Sequence, residues 1–368
     1  MSYAGKSATV EIVVTPRALK NLTVTAPNSL IYAADEPLDL DSLVVKAKYT
    51  DNTLVAIEIG MASEENPDGY VLEENGETVT VSYTYRDVTL TQDFSITRLS
   101  SDMPEIKNGV YQLENEDHLV WFANQVNTLD RSDIDGKLLS DADLSGDYYA
   151  ELYKPIGSYG KKTADKKVYS GEFDGDGHTV KLNLTLHSQR GMFGSVENGR
   201  ISNLIVDGSI NPKDHNETVA GIVEKMEGGS IENCVNKAEI KGSAVAECYA
   251  AGIVASAENV LINNCANLGT ISGSLIGGIA GSFSGEGTIS NSYNAGSLLN
   301  ARKSDICCTG GIVGFCSADV SDCYNTADVS VAEENDTVLY IGGIAGWVKS
   351  GCNEIKNVYS VGSLNADT

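Results

Sequence analysis

Between residues 17 and 99, apolar and polar side chains alternate in short runs, NLTVTAP, SLVVKAKYTD, TLVAIEIG, ETVTVSYTY and VTLTQDFSIT, separated by Asp-Asn, Pro-Asp-Gly and Glu-Asn-Gly. A period of two carried by Val, Thr, Ile and Tyr, and broken by turn formers, predicts antiparallel strands that pack as a β-sandwich. The stretch SSDMPEIKNG, residues 100–109, has no period and reads as a linker. At NEDHLVWFANQVN the spacing changes: Leu119, Phe122, Ala123 and Val126 fall on one helical face, Asn115 stands at the cap position, and Glu116 and Asp117 suit the first turn. One helix is predicted here. Its place ahead of a long β stretch gives it the task of covering an open end of that stretch.

From residue 191 onward the pattern repeats, as in AGIVEKMEGGSIENCVNKAEIKGS, AGIVASAENVLINNCANLGTISGS and GGIAGSFSGEGTISNSYNAGSLLN. Equivalent glycines, Gly221, Gly252, Gly278, Gly311 and Gly343, recur at roughly thirty-residue spacing, which signals a solenoid. Each unit supplies two or three strand-length apolar pieces between Gly, Asn and Ser, so the units can stack strand on strand into a parallel β-helix. The glycines permit sharp turns, and a larger side chain there would crowd the neighbouring coil.

Asn233, Asn264, Asn291 and Asn357, with Asp322 in the remaining unit, share one repeat position. Asn tolerates the left-handed backbone of a tight corner, and its amide can bond the same amide one coil away, which predicts an asparagine ladder. A bend at Asn264 also lets Ile262 and Cys265 both face the core, which strict alternation forbids.

The segments IYAADEPLDLDSLVVKAKYTDNT and GETVTVSYTYRDVTLTQDFSIT resemble a bacterial immunoglobulin-like domain, a class of extracellular spacer. Ser2 to Thr15, SYAGKSATVEIVVT, is similar to Ser82 to Ser95, SYTYRDVTLTQDFS, so residues 1–16 read as the tail of a truncated preceding copy. The units with Gly-Gly-Ile-Ala-Gly, Ile-Ser-Asn-Ser-Tyr and Ala-Gly-Ser-Leu resemble the GLUG-motif repeats of bacterial surface proteins. YQLENEDHLVWFANQVN, LLSDADLSGDYY, KPIG, SGEFDGDGHTVKLNLTL and GMFG resemble the region that precedes those repeats. The resemblance implies a cell-surface or secreted location and an adhesion role, with no catalytic set to carry over.

The expected fold is all-β: an immunoglobulin-like sandwich at 17–99, a linker at 100–109, the leading part of a right-handed parallel β-helix with its capping helix at 110–190, and the repeats at 191–368.

Charge narrows the partners. Asp and Glu number 51 against 26 Lys and Arg, a formal charge of -25, which repels nucleic acid and anionic membranes. No apolar stretch reaches bilayer-spanning length, so no membrane insertion is expected; the opening MSYAGKSATVEIVV has neither a basic leader nor a cleavage signature.

All eight cysteines lie beyond residue 233. Cys234, Cys265 and Cys323 share a position that Ser292 and Val358 also fill, the behaviour of a small core residue. Cys248, Cys307, Cys308, Cys316 and Cys352 form no C-x-x-C pattern; most read as free thiols, and a disulfide between neighbouring coils, such as one between Cys316 and Cys352, stays open.

Asp141 and Asp143 begin a calcium-loop spacing that fails at Leu152, and Asp174 and Asp176 sit in a Gly-rich turn, so all four are candidate metal ligands for which turn chemistry is a sufficient account. Tyr153, Tyr159, Lys161, Lys162 and Tyr169, with Lys166 and Lys167, crowd one stretch and are candidate ligand contacts. The four histidines are scattered and the zinc-protease pattern is absent; GLUG repeats also occur within immunoglobulin-A-cleaving metallopeptidases, whose catalytic domain would lie outside these residues. GSFSG has Phe283 where a nucleophile elbow needs Ser.

The expected function is a non-catalytic bacterial surface module that binds a host or cell-surface glycan or protein, without a cofactor. The alternatives are a polysaccharide lyase or glycoside hydrolase, which needs convergent acids on adjacent coils, and an architectural spacer.

Overall fold

The structure is a computed structural model that describes residues 2–3, 6–7, 16–59, 69–158, 167–186, 189–213, 218–244, 248–301, 306–332 and 338–366. The chain divides into two units, Met1–Leu99 and Ser100–Thr368.

In the first unit, Leu19–Thr25, Val44–Tyr49 and Leu54–Ile57 form one antiparallel sheet, and Tyr70–Asn75, Thr78–Tyr85 and Val88–Ser95 form another. Alternation puts Val45, Ala47 and Tyr49 of the first and Val81, Tyr83 and Tyr85 of the second into one core. The Asp-Asn and Glu-Asn-Gly turns are made by left-handed residues, Asn52 at φ 67° and Gly76 at φ 63°. Ser2–Tyr3 and Lys6–Ser7 pair antiparallel at the start of this unit.

The stretch read as a linker is held in place. Ser100 and Ser101 donate their backbone N–H groups to Oδ2 of Asp117 at 2.9 and 3.0 Å, and Ile106–Lys107 pairs antiparallel with the start of Val110–Leu113. Hydrogen bonds supply order that no apolar period announces.

Helix α1, Glu116–Thr128, begins as expected, with Asn115 Oδ1 accepting from the N–H of His118 at 3.0 Å. It is buried on more than the one face its spacing predicts, since Val120 and Trp121 are also covered. Trp121 lies 5.2 Å from Tyr111, and Phe122 lies 6.1 Å from Tyr169 and 5.9 Å from Phe173, ring to ring. The helix thus rests on the aromatic core of the first coils. A second helix, α2, Asp147–Leu152, was not expected, because DYYAEL is short and lacks an apolar stripe.

The rest is a parallel β-solenoid of about six turns over residues 172–365, and the two helices are those of the described residues. One column of strands runs Phe193–Glu197, Val223–Glu227, Val254–Glu258, Ala280–Ser290, Val313–Ser321 and Ala345–Val348, every pair parallel, with one register shift, between Ser284 and Thr288 where Ala280–Ser290 meets Val313–Ser321. The next runs Glu172–Asp174, Arg200–Ser202, Ser230–Glu232 and Leu261–Asn263 before merging into the longer strands. Ile201, Ile231, Ile262 and Ile289 stack inside one wall, and Ile222, Ile253, Ile279 and Ile312 inside another, all without solvent exposure. Each such side chain contributes roughly 1.5 to 3 kcal/mol relative to exposure.

The repeat glycines form a column for a steric reason. A Cβ on Gly252 would meet the carbonyl of Gly278 at 2.6 Å and the amide of Asn267, and Gly221, Gly278 and Gly311 each face the next coil's glycine carbonyl and an Asn in the same way.

Candidate functional site

The expected corner is present. Asn233, Asn264, Asn291, Asp322 and Asn357 all have φ between 50° and 56°, and Asn203 adds a rung at 54° that the repeat pattern had not singled out. Ile262 and Cys265 are both buried on either side of exposed Asn264. Asn203 Nδ2 donates to Asp174, Asn233 to Asn203 and Asn264 to Asn233, at 2.8, 3.0 and 2.8 Å. The ladder is not continuous as expected: Asn291 donates to Asn263 instead of Asn264, and Asn357 donates to Asp322. Asp322 accepts from Asn357 but passes nothing on to Asn291, because a carboxylate has no proton to donate.

Three residues further on lies a second ladder that the sequence reading missed. Asn236, Asn267, Asn294 and Asn325 have no solvent exposure. Asn236 Nδ2 donates to Asn267 Oδ1 at 2.8 Å, Asn267 to Asn294 at 2.7 Å and Asn294 to Asn325 at 2.8 Å. This inner ladder donates toward the C-terminal end, and the outer one toward the N-terminal end.

Between the ladders one residue per coil points outward. In the last three coils that residue is Tyr293, Tyr324 and Tyr359, paired in register. Their rings stack at 5.0 and 5.2 Å with interplanar angles of 3° and 4°. Tyr359 is 55% exposed and the other two are half-buried. Burial, then the flanking phenols, push the Tyr324 hydroxyl above its ordinary pKa. The signal was in the sequence as NSYN, DCYN and NVYS, one aromatic at one repeat position.

A second in-register column is acidic. Glu197 pairs with Glu227 and Glu227 with Glu258, and with Ser195, Lys225 and Ser256 they line a concavity of about 210 Å³. The strand spacing sets neighbouring backbones roughly 4.8 Å apart along this column. On the strand that carries Glu227, Glu224 is buried against Arg190 at 3.1 Å and Thr218 at 2.8 Å, and its burial raises its pKa against the pull of Arg190.

The metal candidates are occupied by protein groups. Asp174 and Asp176 both face Lys137 Nζ, at 3.6 and 3.0 Å. Burial opposes ionisation of Asp174, but its bonds from Asn203 and Asp176 and the charge of Lys137 hold its carboxyl below the ordinary range. Asp143 accepts from Ser145 and Lys181, and Asp141 from Thr179 at 2.8 Å and His178 at 3.3 Å. Among the described residues no group of three or more His, Cys, Asp or Glu side chains converges on a metal position.

Of the candidate ligand contacts, Tyr153 and Tyr169 are corrected: both are wholly buried. Tyr153 donates to the carbonyl of Met192 at 2.8 Å, and Tyr169 packs 5.6 Å from Phe193. Tyr153 is the C-cap residue of α2 and Tyr169 makes a single bridge to Val196, and the Tyr169 ring joins a core that also takes Phe122 and Phe173. Tyr159, Lys161 and Lys162 lie outside the described residues. Cys234, Cys265 and Cys323 are buried free thiols, and Ser292 in the same column is buried too, its hydroxyl donating to the carbonyl of Ser290 at 2.8 Å.

The fold defines the class, an all-β protein built around a parallel β-solenoid. No family model and no curated protein sequence matches the chain. Among solved structures it is similar to a candidate immunoglobulin A1 protease from Bacteroides ovatus, at 18% identity over 72% of this chain and 86% of that one, with a TM-score of 0.52. It also overlaps an IgA1 protease at 16% identity over 90% of this chain and 27% of that one, with a TM-score of 0.43. The first likeness is one of fold, and fold alone assigns no chemistry.

Proposed function

We propose that the chain is a non-catalytic, extracellular bacterial surface module in which the first unit acts as an immunoglobulin-like spacer and the solenoid presents a binding face to a cell-surface glycan or protein. One observation carries this reading: the outward row of Tyr293, Tyr324 and Tyr359, stacked in register on three successive coils. Tyrosine combines an apolar ring with a hydroxyl, a pairing that suits the apolar faces and hydroxylated rims of sugars. The formal charge of -25 favours a neutral or basic partner over an acidic one. The resemblance of the repeats to GLUG motifs points the same way, toward an external location.

The test is binding of the full chain to arrays of glycans and matrix proteins. A ligand whose affinity falls about tenfold with Tyr324→Ala is expected; retention of every array signal by that variant, or no signal at all, would refute the role of the row.

The acidic column favours a second reading, carbohydrate processing. Backbone spacings of roughly 4.8 Å between neighbouring glutamates, and about twice that from Glu197 to Glu258, bracket the carboxyl separations of retaining and inverting glycosidases. Cleavage of a neutral polysaccharide that is abolished by Glu227→Gln would favour it over the binding module.

A further inference from the structure

Strand Val313–Ser321 carries Cys316, which pairs in register with Val348 of the next coil. The following N–H, that of Lys349, donates to the carbonyl of Cys316 at 2.8 Å. The chain then turns at Gly351, φ 116°, where a Cβ would stand 2.9 Å from the carbonyl of Ser317. Lys349 anchors this turn from outside, with Nζ 4.5 Å from the Phe315 ring and 4.9 Å from Trp347. The turn brings Cys352 back against the strand that carries Cys316, where the two thiols feel one another's charge. Both are free, Cys316 buried and Cys352 half-buried.

We infer that Cys316 and Cys352 are an oxidation site, closing to an intramolecular disulfide with a small-molecule disulfide as oxidant. The half-buried Cys352 thiolate attacks one sulfur of the oxidant RSSR, forming a mixed disulfide and expelling RS⁻, which takes up the proton that Cys352 gave up. Cys316, as thiolate, then displaces the second RS⁻, which is protonated in turn. Two protein thiols and one RSSR become one protein disulfide and two RSH. The second displacement is the slower, because burial, with Cys352 close by, pushes the Cys316 thiol up to about 12. The product ties the turn after Val348 to the preceding coil.

Among the described residues, the pair Cys234 and Cys265 lacks this access. Cys234 and Cys265 meet across coils but have no solvent exposure, and each bonds backbone carbonyls on both sides, Cys234 those of Ile201 and Glu232, Cys265 those of Ile231 and Asn263.

The full chain should be incubated with oxidised glutathione, then unfolded and alkylated without reduction for intact mass and peptide mapping. The inference expects two of the eight cysteines to escape alkylation, a cross-linked peptide joining Cys316 to Cys352, and slower tryptic cleavage after Lys349 that reductant restores. In Cys352→Ser, which alters a half-buried turn residue, every remaining cysteine should be alkylated. Full alkylation of the treated wild-type chain, a cross-link between other cysteines, or two protected thiols in Cys352→Ser would overturn it.

Discussion

Asn267 donates from Nδ2 to Oδ1 of Asn294 across 2.7 Å, one coil to the next, and neither side chain touches solvent. The same Asn267 amide donates to the carbonyl of Gly269 at 2.9 Å and accepts from Asn236 at 2.8 Å. Asn267→Ala therefore strands polar atoms of three residues in the core and is expected to destabilise the solenoid by about 3 kcal/mol. Asn264→Ala, on the exposed ladder, loses one solvated bond and a tolerated left-handed corner, with an expected loss of about 1 kcal/mol. Urea unfolding of the two variants checks the order; equal losses would contradict it.

The glycine column predicts a sharper contrast. Gly252→Ala would drive a Cβ into Gly278 and Asn267, both of which belong to fixed backbone or the inner ladder, whereas a Cβ on Gly146 meets nothing within 4 Å. Gly252→Ala is expected to lower the melting temperature by several degrees or to yield insoluble protein, and Gly146→Ala to shift it by no more than about 1 °C. A thermal melt of each decides it.

Acid should loosen α1 before the solenoid. Burial works against ionisation of Asp117, yet its bonds from Ser100, Tyr149 and Ser101 pull the carboxyl below its ordinary range. A carboxyl depressed on folding contributes stability that is present above its unfolded pKa and is lost as pH falls through the folded value, here below about pH 4. Hydrogen exchange at residues 116–128 should rise through that window in the wild-type chain. In Asp117→Asn it should already be faster at neutral pH and lack the acid step.

The solenoid was legible because its repeats place like residues at like positions, and Gly252, Asn264 and Cys265 each declare a corner, a close approach or a core slot. The inner ladder was harder to see. Asn236 and Asn267 read as polar and therefore outward, and only the corner at Asn233 and Asn264 resets the alternation that turns them in. Tyr153 and Tyr169 failed for the converse reason: amid lysines they look solvated, but Tyr153 as the C-cap of α2 and Tyr169 at its bridge to Val196 are both buried. The glutamate column was hidden because Glu197, Glu227 and Glu258 lie in units whose surrounding letters differ, and register alone aligns them.

The tyrosine row, the glutamate column and the paired thiols all depend on coils stacking in register without slippage. Nuclear Overhauser contacts in asparagine- and tyrosine-labelled protein test that register most directly. The account predicts contacts between the side-chain amide protons of Asn267 and Asn294, and between the rings of Tyr293 and Tyr324 and of Tyr324 and Tyr359. Absence of those contacts, or contacts pairing Tyr324 with a residue other than its register partners, would contradict it.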